Sequence, residues 1–310
     1  MARKQRIHVS GGLYHVSLNG NSGQNIAYGD EDWLHAYTLL EEGVERFNYQ
    51  VHAFCMLQNQ IHLAIQISDI SLSKIIQNFS FRYTRWINGN QQRTGQLFHG
   101  RYRATLIDSS CYLLDVVRHI HRQPVIQGIS KTPESYTWTG HRAYLDKDNI
   151  PWLSTKEVLG QFAKRPAIAR RKYSEFIAAQ KSAENSLLNC GRDRRVMGDD
   201  KFLRSALKRK PKQIKTPSLT KIVRAVCRYY GVKERELADI SQKRAYSEAR
   251  NVIAWLAVEC NAATLTEVGR RFNRDGATMS SGAQRLRERR KKDKEIAKTL
   301  RLLVGELKVR

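Results

Sequence analysis

The chain has 310 residues but only 5 cysteines, 6 prolines and 29 acidic side chains. Each shortage, and each motif that is missing, excludes something. No stretch reaches the roughly eighteen consecutive apolar residues of a transmembrane helix, so no membrane span is expected. Met1-Ala2-Arg3-Lys4-Gln5-Arg6 is basic but leads into no apolar segment, which argues against a secretory leader. Cys55, Cys111, Cys190, Cys227 and Cys260 are odd in number, scattered and never spaced as CxxC. Neither a zinc ribbon nor a disulfide framework is expected from them, and a reducing, cytoplasmic setting fits. No internal repeat is visible.

Positive charge is what the chain has in excess. There are 54 Lys and Arg residues, a formal charge of +25 and a pI of about 10.1, so a polyanionic partner is expected. Residues 1–150 carry 15 basic and 12 acidic side chains, whereas residues 151–310 carry 39 and 17. The front half reads as a globular domain and the back half as a nucleic-acid anchor.

Residues 7–18 show the Tyr14, Val16, Leu18 alternation of a half-buried strand. Residues 31–48 place Trp33, Tyr37, Leu40, Val44 and Phe47 near helical spacing. Val51 to Leu57 and Ile61 to Ile67 read as two strands joined by the hairpin Gln58-Asn59-Gln60. A helix follows from Leu72 to Asn88, then a short strand from Ala104 to Ile107. Ser109 or Ser110 caps a last helix that runs through Gln123 and stops at Pro124. This order predicts an α+β class: a ferredoxin-like α/β sandwich with helices on one sheet face. Residues 151–216, with the run Lys208-Arg209-Lys210-Pro211-Lys212, read as a basic helical linker with limited core. A compact, all-α pattern then covers 217–285, and 286–310 continue as a basic helical tail.

Four ordered segments carry a resemblance. They are Met56-Leu57-Gln58-Asn59-Gln60-Ile61-His62-Leu63, Gln77 to Asn88 with Arg82-Tyr83-Thr84-Arg85-Trp86, Gly95 to Ala104 with Leu97-Phe98-His99-Gly100-Arg101-Tyr102, and Arg118-His119-Ile120-His121-Arg122-Gln123-Pro124-Val125. Residues 7–145 resemble REP-associated tyrosine transposases of the HUH endonuclease superfamily. The resemblance implies that this domain, residues 1–150, handles single-stranded hairpin DNA through a divalent ion, Mg²⁺ or Mn²⁺, and a tyrosine nucleophile. It places the metal ligands at Gln60, His62 and Gln123 and the nucleophile at His119, so the usual first histidine and the tyrosine are both replaced.

The chemistry of that spacing can be argued directly. Residues i and i+2 of a strand share a face, and residues i and i+4 of a helix do too. Gln60 and His62 can therefore hold one ion, with Gln123 completing its shell from the helix face of position 119, and the ion polarises a phosphate for attack from that position. An amide oxygen suits hard cations. Tyr112, seven residues before His119, is either a displaced nucleophile or a tyrosine packed on the sheet. Arg82, Arg101, Arg103 and Arg122 are expected to follow the DNA backbone. Trp86 and Phe98 read more readily as core.

Residues 217–285 resemble the C-terminal DNA-binding domain of the replication initiator DnaA, through Ile222 to Val232, Ser241 to Ala257, Leu265 to Phe272 and Arg274-Asp275-Gly276-Ala277-Thr278-Met279. The resemblance implies a helix-turn-helix with duplex DNA as partner. Arg274, Asp275 and Thr278 start the recognition helix, and Lys243, Arg244 and Arg250 are expected on phosphates. Gly276 stands where that family has histidine. The expected function is a transposase-like protein that binds repeated, palindromic or hairpin-forming DNA with strand cleavage lost or weakened. An active metal-dependent enzyme using Tyr112 or His119, and an RNA-binding protein, are the rivals. Self-association as a homodimer stays open.

Overall fold

In the computed structural model, β1 (Leu13–Asn19) is the central strand of a five-stranded sheet of order β2-β3-β1-β4-β5. The structure describes residues 7–179, 193, 195–208, 217–239, 243–260 and 262–308. Cys190, the basic start and, from the expected basic segments, Arg209 to Lys212 with Ser241 and Gln242 lie outside them. The chain divides into two units, residues 1–213 and 214–310.

Strands β2 (Gln50–Leu57) and β3 (Gln60–Gln66) form the expected hairpin, and β4 (Arg103–Ile107) flanks β1 on its other side. All these pairings are antiparallel, and β1 lies between strands distant in sequence. Together with helices α1 (Asp30–Phe47) and α2 (Leu72–Asn90), this is the ferredoxin-like order βαββαβ. Asp30, Glu31 and Asp32 occupy the first turn of α1, where acids favour the helix dipole. Asp32 is buried and accepts from the Tyr28 backbone N–H (2.8 Å) and the Trp86 indole N–H (3.0 Å). Arg82 meets Glu42 at 2.7 Å, so α1 and α2 are zipped by polar as well as apolar contacts.

Register sorts the side chains by face. His15, Ser17 and Asn19 of β1 stand beside Ala64, His62 and Gln60 of β3, in that order. The alternate residues, including Val16, Leu18, Ile61 and Leu63, fill the core on the other side. There Phe54, opposite Leu63, meets Tyr37 of α1. Helices were expected on one face alone. Helix α3 (Ser109–His121) instead covers the second face, with His119 against His15 and His62. Its cap also differs from expectation: the Asp108 carboxylate accepts from the Ser110 N–H at 3.1 Å, because Asp108 holds the extended cap position before either serine. The helix ends at His121, and a short α4 (Gln123–Ile126) restarts with Pro124 in its first turn.

Of residues 151–216, which were expected to be a linker with limited core, the described ones 151–179 and 195–208 contribute side chains to the first core. After α5 (His141–Tyr144), α6 (Lys156–Gly160) and α7 (Pro166–Ala178) send Val158, Tyr173 and Ile177 into the first core, beside Trp152 and Leu153. Strand β5 (Val196–Met197) pairs parallel to β4, and α8 (Asp200–Lys208) follows it. Among the described residues of this stretch, Val196, Met197 and Ala206 are also buried, whereas Leu207 is exposed.

The second unit is all helical: α9 (Leu219–Tyr230), α10 (Glu234–Ala238), α11 (Arg244–Glu259), α12 (Leu265–Arg271), α13 (Gly276–Lys292) and α14 (Lys294–Lys308). Ile222, Val226, Ile253, Val268 and Phe272 centre its core. The expected basic tail contributes to that core, because Leu300, Leu303 and Leu307 recur at helical spacing and are buried. Among the described residues, no helix is long and apolar enough to cross a membrane.

Candidate functional site

Three imidazoles from three elements meet beneath α3. His15 Nε2 and His62 Nδ1 lie 3.2 Å apart with their rings stacked 8° from parallel. The His119 ring stands edge-on to both, with centroids 5.5 Å from His15 and 6.3 Å from His62. His15 is 4% exposed, and His62 and His119 are 7% exposed. Burial, then the neighbouring imidazoles, pushes His62 down to about 3 and His15 well below the ordinary histidine value. Desolvation penalises an imidazolium, so both rings stay neutral at physiological pH.

The expected ligands fall differently around this cluster. His62 belongs to it. Gln123 is buried one turn beyond His119, and its side-chain amide donates to His119 Nε2 across 2.9 Å. Gln60 shares the His62 face but sits half-buried at the start of β3, opposite Asn19. His15 escaped sequence reasoning. The Tyr14, Val16, Leu18 alternation does put it on the opposite face of β1, but only the pairing register brings it beside His62.

His119, expected at the nucleophile position, is turned into the cluster. Tyr112 is partly buried and packs against the first core. The C-terminal half of α3 is enclosed on all sides, because α7 covers what the sheet does not. The Tyr173 hydroxyl lies 2.6 Å from His121 Nδ1 and 2.9 Å from His141 Nδ1. Arg118 pairs with Asp115 at 2.5 Å and lies 4.2 Å from the centroid of the Phe176 ring. Arg122, expected on DNA, is buried and donates to the Ile177 carbonyl at 2.9 Å. It braces α7 rather than offering its charge to a ligand.

Arg101 and Arg103, expected on the DNA backbone, are exposed. They line a cavity of about 300 Å³ with Ser17, Asn19, Phe98 and Arg195. Arg103 stands opposite Ser17, which stands opposite His62, so the basic cavity and the histidine cluster share one sheet face. Sequence reasoning missed Arg195, which comes from the supposed linker and pairs with Asp193 at 2.5 Å. Arg82 is half-buried and engaged by Glu42. Phe98 is buried, and Trp86 packs on the core while its indole N–H reaches Asp32.

In the second unit α12, a turn and α13 form the helix-turn-helix. Thr264 and Glu267 make a reciprocal capping box that starts α12. A Cβ on Gly269 would stand 2.6 Å from the Arg274 carbonyl oxygen, so the close turn needs glycine there. Asp275 holds the N-cap position of α13 without a side-chain capping bond, and Asp275 and Thr278 are exposed at the helix start. Arg274 is half-buried and donates to the Asp239 carbonyl at 2.6 Å. Lys243 and Arg244 are exposed at the start of α11. Arg250, expected on a phosphate, is instead buried and donates to the Leu237 carbonyl at 3.1 Å. The exposed stripe continues through Ser281 and Arg285, which sequence reasoning left out although Thr278, Ser281 and Arg285 follow helical spacing.

Comparisons with known proteins agree with this division. Residues 8–123 match the family described as transposase IS200 like, and residues 219–286 match the bacterial DnaA protein helix-turn-helix. Curated relatives include the chromosomal replication initiator protein DnaA of a Ruegeria species, 30% identical over 87 residues, and that of Roseobacter denitrificans, 31% identical over 87 residues. Each match covers 28% of this chain and only 18% or 19% of the relative. A solved REP-associated tyrosine transposase bound to a REP hairpin aligns with a TM-score of 0.42 at 14% identity, over 50% of this chain and 92% of that one. The chain thus joins an IS200-like transposase domain, residues 8–123, to a DnaA-type helix-turn-helix domain, residues 219–286.

Proposed function

We propose that this chain is a DNA-binding protein on a transposase scaffold, with tyrosine-mediated cleavage lost. It recognises repeated, palindromic DNA through two surfaces. The Arg101–Arg103 cavity takes the backbone of a single strand or hairpin, and the helix-turn-helix holds neighbouring duplex. The observation that carries the reading is His119. At the nucleophile position it offers no phenol, and its imidazole is buried against His15 and His62.

Transposases of this family use a divalent metal. The set Gln60, His62 and Gln123 is a poor fit for Mg²⁺ or Mn²⁺. Hard cations favour oxygen donors, but Gln123 turns its amide nitrogen to His119, and Gln60 sits at the strand end.

Competition binding tests the reading. A labelled hairpin, its duplex form, unstructured single-stranded DNA and an RNA hairpin are compared at several salt concentrations. The reading expects hairpin and duplex DNA to compete best and affinity to fall steeply with salt. Preference for the RNA hairpin would move the front domain to a different class of partner, and a flat salt response would contradict phosphate contact altogether.

A further inference from the structure

A lost nucleophile explains why His119 is not tyrosine. It does not explain why His119 meets two more imidazoles. His15 from β1, His62 from β3 and His119 from α3 bring ring nitrogens within 4.8 Å of one another, and among the described residues this is the only such group of three His, Cys, Asp or Glu side chains. The 3.2 Å between His15 Nε2 and His62 Nδ1 is close to the edge that two nitrogens span around one tetrahedral ion, about 3.3 Å for bonds of about 2.0–2.1 Å. An ion on His15 Nε2 and His62 Nδ1 would replace their mutual hydrogen bond and leave the ring proton of His62 on Nε2, which is buried with no partner among the described residues. Gln123 lies 2.9 Å from His119 Nε2, and with its amide turned to present oxygen it would accept the Nε2–H of a ring that ligates through Nδ1, as an outer partner of a metal ligand does.

We propose that His15, His62 and His119 form a three-histidine site for one transition-metal ion of the Zn²⁺ class, replacing the hard-cation site of the family. All three donors are imidazoles, which suit Zn²⁺, Cu²⁺ or Ni²⁺ far better than Mg²⁺. Three protein ligands leave a fourth position for water or an anion. The ion ties β1 and β3 to α3 and adds positive charge on the sheet face that carries Arg103. This inference stands whether or not the chain binds DNA, because its readout is the metal itself.

The test uses the full chain, stripped with a chelator and then titrated with Zn²⁺ and separately with Co²⁺. One ion per chain should bind, with the visible d–d bands of a nitrogen-ligated, four- or five-coordinate Co²⁺ and a rise in melting temperature. Excess Mg²⁺ should not displace it. His15→Gln and His119→Gln should each weaken Zn²⁺ binding by more than the roughly 10–100-fold that losing an outer partner costs. Gln60→Ala should leave binding unchanged. Circular dichroism of the metal-free variants checks folding, and the Co²⁺ spectrum of the unaltered protein decides the matter where a variant does not fold. No stoichiometric Zn²⁺ or Co²⁺ binding would overturn the proposal. So would binding that survives both histidine substitutions, or binding that disappears with Gln60→Ala while His15→Gln has no effect.

Discussion

Gln123 donates its side-chain amide to Nε2 of His119 across 2.9 Å, one helical turn apart. The pair occupies the positions at which the transposase pattern puts its nucleophile and its last metal ligand. On the proposed reading the chain keeps the positions of the strand-transfer site and has lost the attacking group. Restoring both altered positions should restore the chemistry. Gln60→His with His119→Tyr is expected to give metal-dependent nicking of a labelled single-stranded hairpin. Either change alone should give little, since a phenol needs a polarised phosphate and a metal needs a nucleophile. Nicking by a single variant at the level of the double one would contradict this division of labour.

The Tyr173 hydroxyl serves two buried imidazoles, so its removal should be costly. Tyr173→Phe leaves His121 and His141 each without a partner it now has, a loss of about 1–3 kcal/mol. Urea unfolding of the two proteins measures it. An unchanged midpoint would mean that α7 is held by apolar contact alone.

Acid should weaken the same corner of the fold. Burial pushes His141 down to about 4, against an ordinary value near 6.5 in the unfolded chain. The unfolded state therefore takes up the proton first. The stabilising contribution is intact above about pH 6.5 and is lost as pH falls through 4, on the order of 3 kcal/mol in all. His121 moves in the same direction for the same cause. Melting temperatures between pH 7 and pH 4.5 should fall more steeply for the unaltered protein than for His141→Gln. Parallel curves would show that His141 does not govern the acid response.

Much of this site could be read in the chain, and the unread part has physical causes. The strand-helix-hairpin order and the paired positions Gln60–His62 and His119–Gln123 follow from periods of 2 and 3.6. His15 did not, because periodicity assigns a side chain to a face but says nothing about which strand lies beside it. Arg122 and Arg250 were misplaced for a related reason: arginine is rarely buried, and only tertiary contacts reveal the carbonyls of Ile177 and Leu237 that satisfy them. The basic composition of residues 151–216 hid Tyr173 and Ile177, whose spacing is helical but which follow the run Arg170-Arg171-Lys172.

The two classes of arginine should separate in binding experiments. Arg101→Ala with Arg103→Ala should weaken single-strand and hairpin binding and reduce the slope of log affinity against log salt by about 1–2. Arg122→Ala should instead lower thermal stability and leave that slope unchanged. A salt effect from Arg122 would return it to the DNA surface.

Deletion of residues 217–310 should remove most duplex affinity and spare hairpin binding by the first unit. Within the full chain, Thr278→Ala and Arg285→Ala separate base reading from phosphate contact. The first should lower discrimination between cognate and random duplex, and the second should weaken both about equally. Equal loss of hairpin and duplex binding on deletion would show that the two surfaces do not act separately.

The central claim is the loss of tyrosine-mediated cleavage, and covalent trapping tests it most directly. The unaltered protein is incubated with a labelled single-stranded hairpin and Mg²⁺ or Mn²⁺, denatured, and resolved to detect DNA that stays attached to the chain. The account predicts tight binding under native conditions and no covalent adduct after denaturation. An adduct that forms with the unaltered protein and disappears in Tyr112→Phe would contradict it, and would make Tyr112 the nucleophile of an active enzyme.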